Sequence, residues 1–132
     1  MKPIANVKLV VNEIRLKNHK LAEGKFNLEP AITSNIVKME NENYSVEINL
    51  SITNAEERAF PIDLFVSMTG IFDLQTFPQE QKEDFLNIQA LQIIFPYMRN
   101  IISTITTASL MPPLVLPIID VNSLVHEKEN IE

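Results

Sequence analysis

The sequence predicts an α+β fold, with antiparallel strands first and helices after, in a single domain spanning residues 1–132. Two observations carry this. Residues 44–68 hold two stretches of period-two alternation, and residues 87–108 change to helical spacing with apolar residues on two stripes. A third feature, an apolar proline-rich strip at 111–117, follows the helix at once.

Tyr44, Val46, Ile48, Leu50 and Ile52 point one way, while Ser45, Glu47, Asn49, Ser51 and Thr53 point the other. Strict alternation of this length is a half-buried strand. Phe60, Ile62, Leu64, Val66 and Met68 repeat the pattern, with residues 54–58 as the hairpin connection. Pro61 lacks a backbone donor and belongs at that strand's start or on an open edge. Upstream, residues 35–40 read as a shorter strand and 41–43 as a tight turn, which gives a meander.

The N-terminal segment fits two periods. Ile4, Val7, Val11 and Ile14 make a helical stripe; Val7, Leu9 and Val11 make a strand face, with Val10, Ile14 and Leu16 on the other. A strand with a bulge near Val10 reconciles the two registers, and the density of β-branched residues favours it. Residues 23–33 then read as a long loop, broken by Gly24 and Pro30. The expected sheet is therefore a four-stranded antiparallel meander.

After residue 72 the period changes. Thr76 is a candidate cap for a short helix beginning near Pro78. A long helix is expected over 87–108. Leu91, Ile94, Phe95, Met98, Ile102 and Ile105 form one apolar stripe, and Ile93, Tyr97 and Ile101 a second. Pro96 should kink it or mark its first turns. One stripe can pack on the sheet; a lone small domain has no second layer for the other, so self-association through Tyr97, Ile101 and Ile105 is expected. The prolines force residues 111–117 to be extended. Asp120 would cap a short last helix over 121–129.

Composition excludes several functions. The net charge of −6 lacks the basic footprint a duplex-binding surface needs, so no nucleic-acid partner is expected. Two glycines argue against phosphate-cradling loops, and zero cysteines rule out disulfides and thiolate metal sites. Asn6, Lys8 and Asn12 interrupt any signal-peptide core, and no apolar run reaches membrane-spanning length; a cytoplasmic protein without membrane insertion is expected. The Asn-Tyr-Ser acceptor at 43–45 is then idle.

Catalytic patterns are missing. His19 and His126 have no second histidine at ligand spacing and read as solvated. The carboxylate pairs at 56–57, 80–84 and 127–129 fall in turns or on polar helix faces. No serine sits in a nucleophile elbow. The chain reads as a binding protein with neither enzymatic activity nor cofactor.

Two surfaces are candidates for binding. Glu13 and Glu47 point outward from their strands; solubility and edge protection explain them first, and docking of a basic partner second. Phe26, Leu28, Ile32, Met111, Leu114, Leu116, Leu124 and Val125 form the other set. Some of these must be core. The rest suit a groove for unfolded chain, where proline-stiffened apolar walls make contact without demanding sequence, and an edge strand could add backbone hydrogen bonds.

Two blocks then resemble a known family. The first runs from Tyr44 through Ala59, Phe60 and Pro61 to Gly70, Ile71 and Phe72. The second is Ile94, Phe95, Pro96, Tyr97, Met98 and Arg99 opening a β-branched helix, followed by Pro112, Pro113, Leu114, Val115, Leu116, Pro117 and then Val121, Asn122, Ser123, Leu124. Both look like the SecB protein-export chaperones and their SecB-like relatives. The resemblance implies a four-stranded antiparallel sheet with a long and a short C-terminal helix on one face. It implies a homotetramer built as a dimer of dimers, with the long helices between dimers. It also implies a groove for unfolded polypeptide clients and an acidic sheet surface that docks the translocase motor SecA. SecB-like relatives also serve antitoxins, so a dedicated partner of that kind, or an interaction protein without general clients, are the alternatives. The first 40 residues match poorly, the last helix is short, and Ser109, Leu110 and Met111 stand where family members often carry an Arg-Gly turn.

Overall fold

The computed structural model describes residues 6–20, 30–54, 60–112 and 114–116. Four antiparallel strands form one sheet: β1 (Asn6–Asn18), β2 (Ala31–Lys38), β3 (Asn43–Ile52) and β4 (Ile62–Asp73). A short helix α1 (Gln79–Asp84) passes through one π-helical turn (Phe85–Gln89) into the long helix α2 (Ala90–Ala108).

The strand order is β1-β4-β3-β2. The expected meander holds for β2, β3 and β4. It fails for β1, which crosses to the far edge and pairs with β4, giving the strand order of a Greek key. The reason is hydrophobic: one edge of β4 is taken by β3, and the β-branched β1 finds its longest apolar partner along the other. β1 carries its bulge between Val11 and Glu13, at Asn12, two residues after the expected position. The extra residue lets Val11 and Ile14 both face the core side, opposite Met68 and Val66. Ala31, Ile32 and Thr33, expected in a loop, are the first residues of β2, paired with Ser51, Leu50 and Asn49.

The turn between β2 and β3 places both Asn41 (φ 59°) and Glu42 (φ 59°) in the left-handed region, as a tight hairpin requires. Glutamate bears that conformation because it is held from three sides. Its carboxylate takes a hydrogen bond from the buried Lys82 of α1, Lys38 lies 3.7 Å away, and Leu74 N–H donates to its carbonyl at 3.0 Å. The Lys82 hydrogen bond, with the two lysine charges, holds the Glu42 carboxyl below the usual glutamate range. The pair pins α1 to the end of the sheet.

Alternation along β3 and β4 builds the core. Val46, Ile48, Leu50, Val66 and Phe72 are fully buried beneath α2, whose Ile94, Met98 and Ile102 pack from above. Burying one such side chain contributes about 1.5–3 kcal/mol. Gly70 sets how closely the layers approach: a Cβ there would meet Phe72 at 2.9 Å, Ile94 at 3.0 Å and Leu9 at 3.1 Å. Phe85 stacks edge-on against Phe72 and Phe77.

Two local expectations change. Thr76 makes no capping bond; Pro78 is the N-cap of α1. Pro96 lies inside α2, which runs unbroken through it from Ala90 to Ala108. Pro96 removes a donor to the Gln92 carbonyl, but both residues are exposed, where water replaces it. The irregularity sits upstream instead, in the π turn, where one inserted residue turns Phe85 and Leu86 inward.

Candidate functional site

Helix α2 packs on β4 and β3, and among the described residues three apolar regions stay incompletely covered. The first is its outer stripe. Tyr97 is 56% exposed, and Ile93, Ile101 and Ile105 are half-buried, at spacings that align them on one side. The structure thus brings the three expected interface residues Tyr97, Ile101 and Ile105 onto one ridge.

The second region was not singled out from sequence. Val7, Val11 and Ile14 of β1 face the same side as buried Phe72, Met68 and Val66 of β4, yet they are 36–40% exposed. β1 is also an edge strand with one row of backbone groups unpaired among the described residues. Alternating apolar residues on an edge were legible; that the helix would stop short of them was not.

The third region is the strip after α2. Met111 and Leu114 are half-buried against the core, Leu116 is fully buried, and Val115 and Leu110 project outward. Three backbone sites tie this strip back along the helix. Met111 N–H donates to the Thr106 carbonyl (3.1 Å), Leu114 N–H donates to Thr106 Oγ1 (2.9 Å), and Arg99 donates from Nε (3.2 Å) and Nη2 (2.9 Å) to the Leu116 carbonyl. Arg99 therefore works as a fork on a backbone carbonyl. Ile32, also assigned to the groove, is buried in the core through β2. Phe26, Leu28, Leu124 and Val125, like the last helix, lie outside the described residues.

The outward sheet face carries the two acidic candidates, but on different terms. Glu13 is ion-paired with Arg15 at 2.7 Å, and Arg15 also lies over the Phe65 ring, 4.6 Å from its centroid. Glu47 accepts a hydrogen bond from Ser67 Oγ at 3.4 Å, beside Asn12, whose amide donates to Ser67 Oγ (3.1 Å) and Thr69 Oγ1 (2.8 Å). Lys8 and Lys17 share the outward row of β1, so this face mixes both signs.

His19, expected to be solvated, has only 20% of its side chain exposed, and its Nε2 lies 3.0 Å from Asp63 Oδ2. The Asp63 carboxyl is held below its usual range, chiefly by the Asn54 N–H donating at 2.8 Å, with His19 adding to it. This cluster closes the end of β4; it contains no third ligand-type group for a metal among the described residues. No described helix is long and apolar enough to cross a membrane.

The family model for the preprotein translocase subunit SecB matches residues 8–131. The chain belongs to the SecB family. It is 36% identical over 91 residues to the protein-export protein SecB of Psychrobacter arcticus, covering 67% of this chain and 60% of that one. It therefore spans about 60% of the length of this curated SecB relative. It is also 28% identical over 132 residues to an uncharacterized protein of Methanocaldococcus jannaschii, covering 98% of this chain and 82% of that one. Its fold is that of a SecB-like chaperone of Mycobacterium tuberculosis, solved with a peptide from an antitoxin: TM-score 0.67, 14% identity, 87% and 89% of the two chains covered. The SecB strand blocks and the Phe95-to-Arg99 box occupy β3, β4 and α2, the elements that carry the core and the fork.

Proposed function

We propose that this SecB-family chain is a cytoplasmic holdase, a non-enzymatic chaperone that binds extended segments of unfolded polypeptide and works as a homo-oligomer. The observation that carries this is the combination of an open apolar ridge on α2 (Tyr97, Ile101, Ile105) and the apolar residues Met111, Leu114 and Leu116 after it, whose backbone groups are hydrogen-bonded back to the helix. Subunits cover the ridge and the inner face of β1, since a second copy brings the matching apolar area; the helices then lie between dimers. Clients use the side where Met111, Leu114 and Leu116 lie. Apolar contact and backbone hydrogen bonding bind unfolded chain without reading its sequence.

A second reading, service to one dedicated partner such as an antitoxin, is favoured over docking to the motor SecA by the sheet face. Docking a basic partner needs complementary negative charge, and Arg15 beside Glu13 offsets half of the Glu13–Glu47 pair.

Aggregation of several unrelated proteins, followed by light scattering in the presence of stoichiometric chain, tests both readings. Delay for all of them is the expected result. Delay for one partner only transfers the function to the dedicated reading, and no delay for any client overturns the holdase.

A further inference from the structure

The positive charge of this acidic chain is gathered on one strand and its exit. Residues 6–20 carry Lys8, Arg15, Lys17 and Lys20 against the single acid Glu13, a net +3. Residues 21–132 carry 6 basic and 16 acidic residues, a net −10. Lys2 supplies the remaining charge of the −6 total.

The register of β1 aims three of these cations the same way. Lys8, Val10, Glu13, Arg15 and Lys17 pair with the β4 row that runs from Ile71 to Asp63, on the side of the sheet away from α2. The bulge at Asn12 makes the row continuous: without the extra residue, Arg15 and Lys17 would fall on the face opposite to Lys8. Lys8, Arg15 and Lys17 are exposed, and Val10 between them is 40% exposed. Arg15 is held in position, with Nε 2.7 Å from Glu13 and its guanidinium over the Phe65 ring. Asp63, opposite Lys17, is engaged by the Asn54 N–H and His19, and Asp73 lies beyond the row, opposite Asn6. The next acid inward, Glu47, is on β3, two strands away.

Charge on an edge strand also deters pairing with stray strands. Either sign does that. Here a chain of net −6 places the opposite sign, interleaved with an exposed valine and set beside an aromatic ring.

We propose that the outer row of β1 is a docking surface for an acidic polypeptide segment laid along the strand. Its carboxylates meet Lys8 at one end and Arg15 and Lys17 at the other, and an apolar side chain covers Val10 between them. The row is roughly 25 Å long, the reach of about eight extended residues. A polypeptide can place carboxylates at both ends and an apolar group in the middle; a nucleic-acid backbone, evenly charged, would set phosphates against Glu13 and Val10. This surface lies across the sheet from α2, so the inference goes beyond the holdase reading and does not depend on it.

Fluorescence anisotropy with two labelled peptides of about eight residues tests it. The acidic probe has glutamates at both ends and valines between; the control probe has lysines in place of the glutamates. The acidic probe should bind, more weakly as salt is raised, and the control should not. Lys8→Gln and Lys17→Gln should each weaken binding about threefold, the size of an exposed ion pair. Glu13→Gln should strengthen it, and Lys38→Gln, the same charge change on the far edge strand β2, should leave it unchanged. All four side chains are at the surface, and circular dichroism checks that each variant is folded. If the acidic probe fails to bind, binds every variant alike, or binds no better than the control, the inference fails and the row is edge protection. Tighter binding of a DNA duplex or of phosphatidylserine vesicles, weakened by the same two lysine variants, would also overturn it, by giving the row to a different partner.

Discussion

Strands β3 and β1 are written in the same alphabet and finished differently. Both alternate, and both face the core side with β-branched and leucine residues. On β3, Val46, Ile48 and Leu50 are sealed beneath α2; on β1, Val7, Val11 and Ile14 on the same side of the same sheet stay more than a third open. The two faces of α2 repeat the contrast, with Ile94 and Met98 sealed and Tyr97 open. Periodicity tells which side of an element is apolar. What covers that side depends on how far the opposing layer reaches, and among the described residues α2 packs chiefly on β4 and β3.

The comparison is broken most severely on the sealed side. Ile48→Ala should cost about 2–5 kcal/mol, since a cavity adds to the lost burial; urea denaturation measures it, and the equivalent truncation Val11→Ala should cost far less. Gly70→Val drives new atoms into Phe72, Ile94 and Leu9, and overpacking of this kind costs about 1–3 kcal/mol in the same measurement.

On the open side, Ile101→Asp or Ile105→Asp should leave the fold intact by circular dichroism while splitting the oligomer to a smaller mass in light scattering, because a charge buried in an interface finds no partner. Unchanged mass in both variants removes α2 from the interface.

Acid should loosen the sheet ends before the centre. The folded-state pKa values of Glu42 and Asp63 are depressed, so their contribution is present above their ordinary unfolded values, about 4.3 and 3.9, and is lost as pH falls through the lower folded values. Thermal melts below pH 4 should show a drop that is reduced in Glu42→Gln, whose starting stability is lower. The smallest effect belongs to Arg15→Ala: both partners of its ion pair are at least half exposed, so stability should move by about 1 kcal/mol or less.

Much of this was legible in the sequence, and the misses have physical causes. Tyr44 to Ile52 alternated without interruption, so β3 could be placed within a residue. The stripe through Leu91, Ile94 and Met98 gave the buried face of α2. The pairing of β1 with β4 was hidden, because strand order depends on a crossing connection that leaves no local period. The π turn at 85–89 was hidden for the same reason, since one inserted residue only shifts the phase of a stripe. At the candidate site, Tyr97, Ile101 and Ile105 were readable as a surplus of apolar residues. Leu116 could not be told from its exposed neighbour Val115 without the Arg99 fork that sets which way the strip faces. Leu110 did leave a signal, a leucine where the family often turns on glycine, but its left-handed backbone (φ 64°) appears only in the structure.

The claim at the centre is that the open apolar surfaces of β1 and α2 are finished by further copies of the chain. Light scattering coupled to size-exclusion chromatography, run over a wide concentration range, tests it most directly. The account predicts a mass of several chains, a tetramer if both surfaces are used, falling only at high dilution. A single-chain mass at every concentration would contradict it.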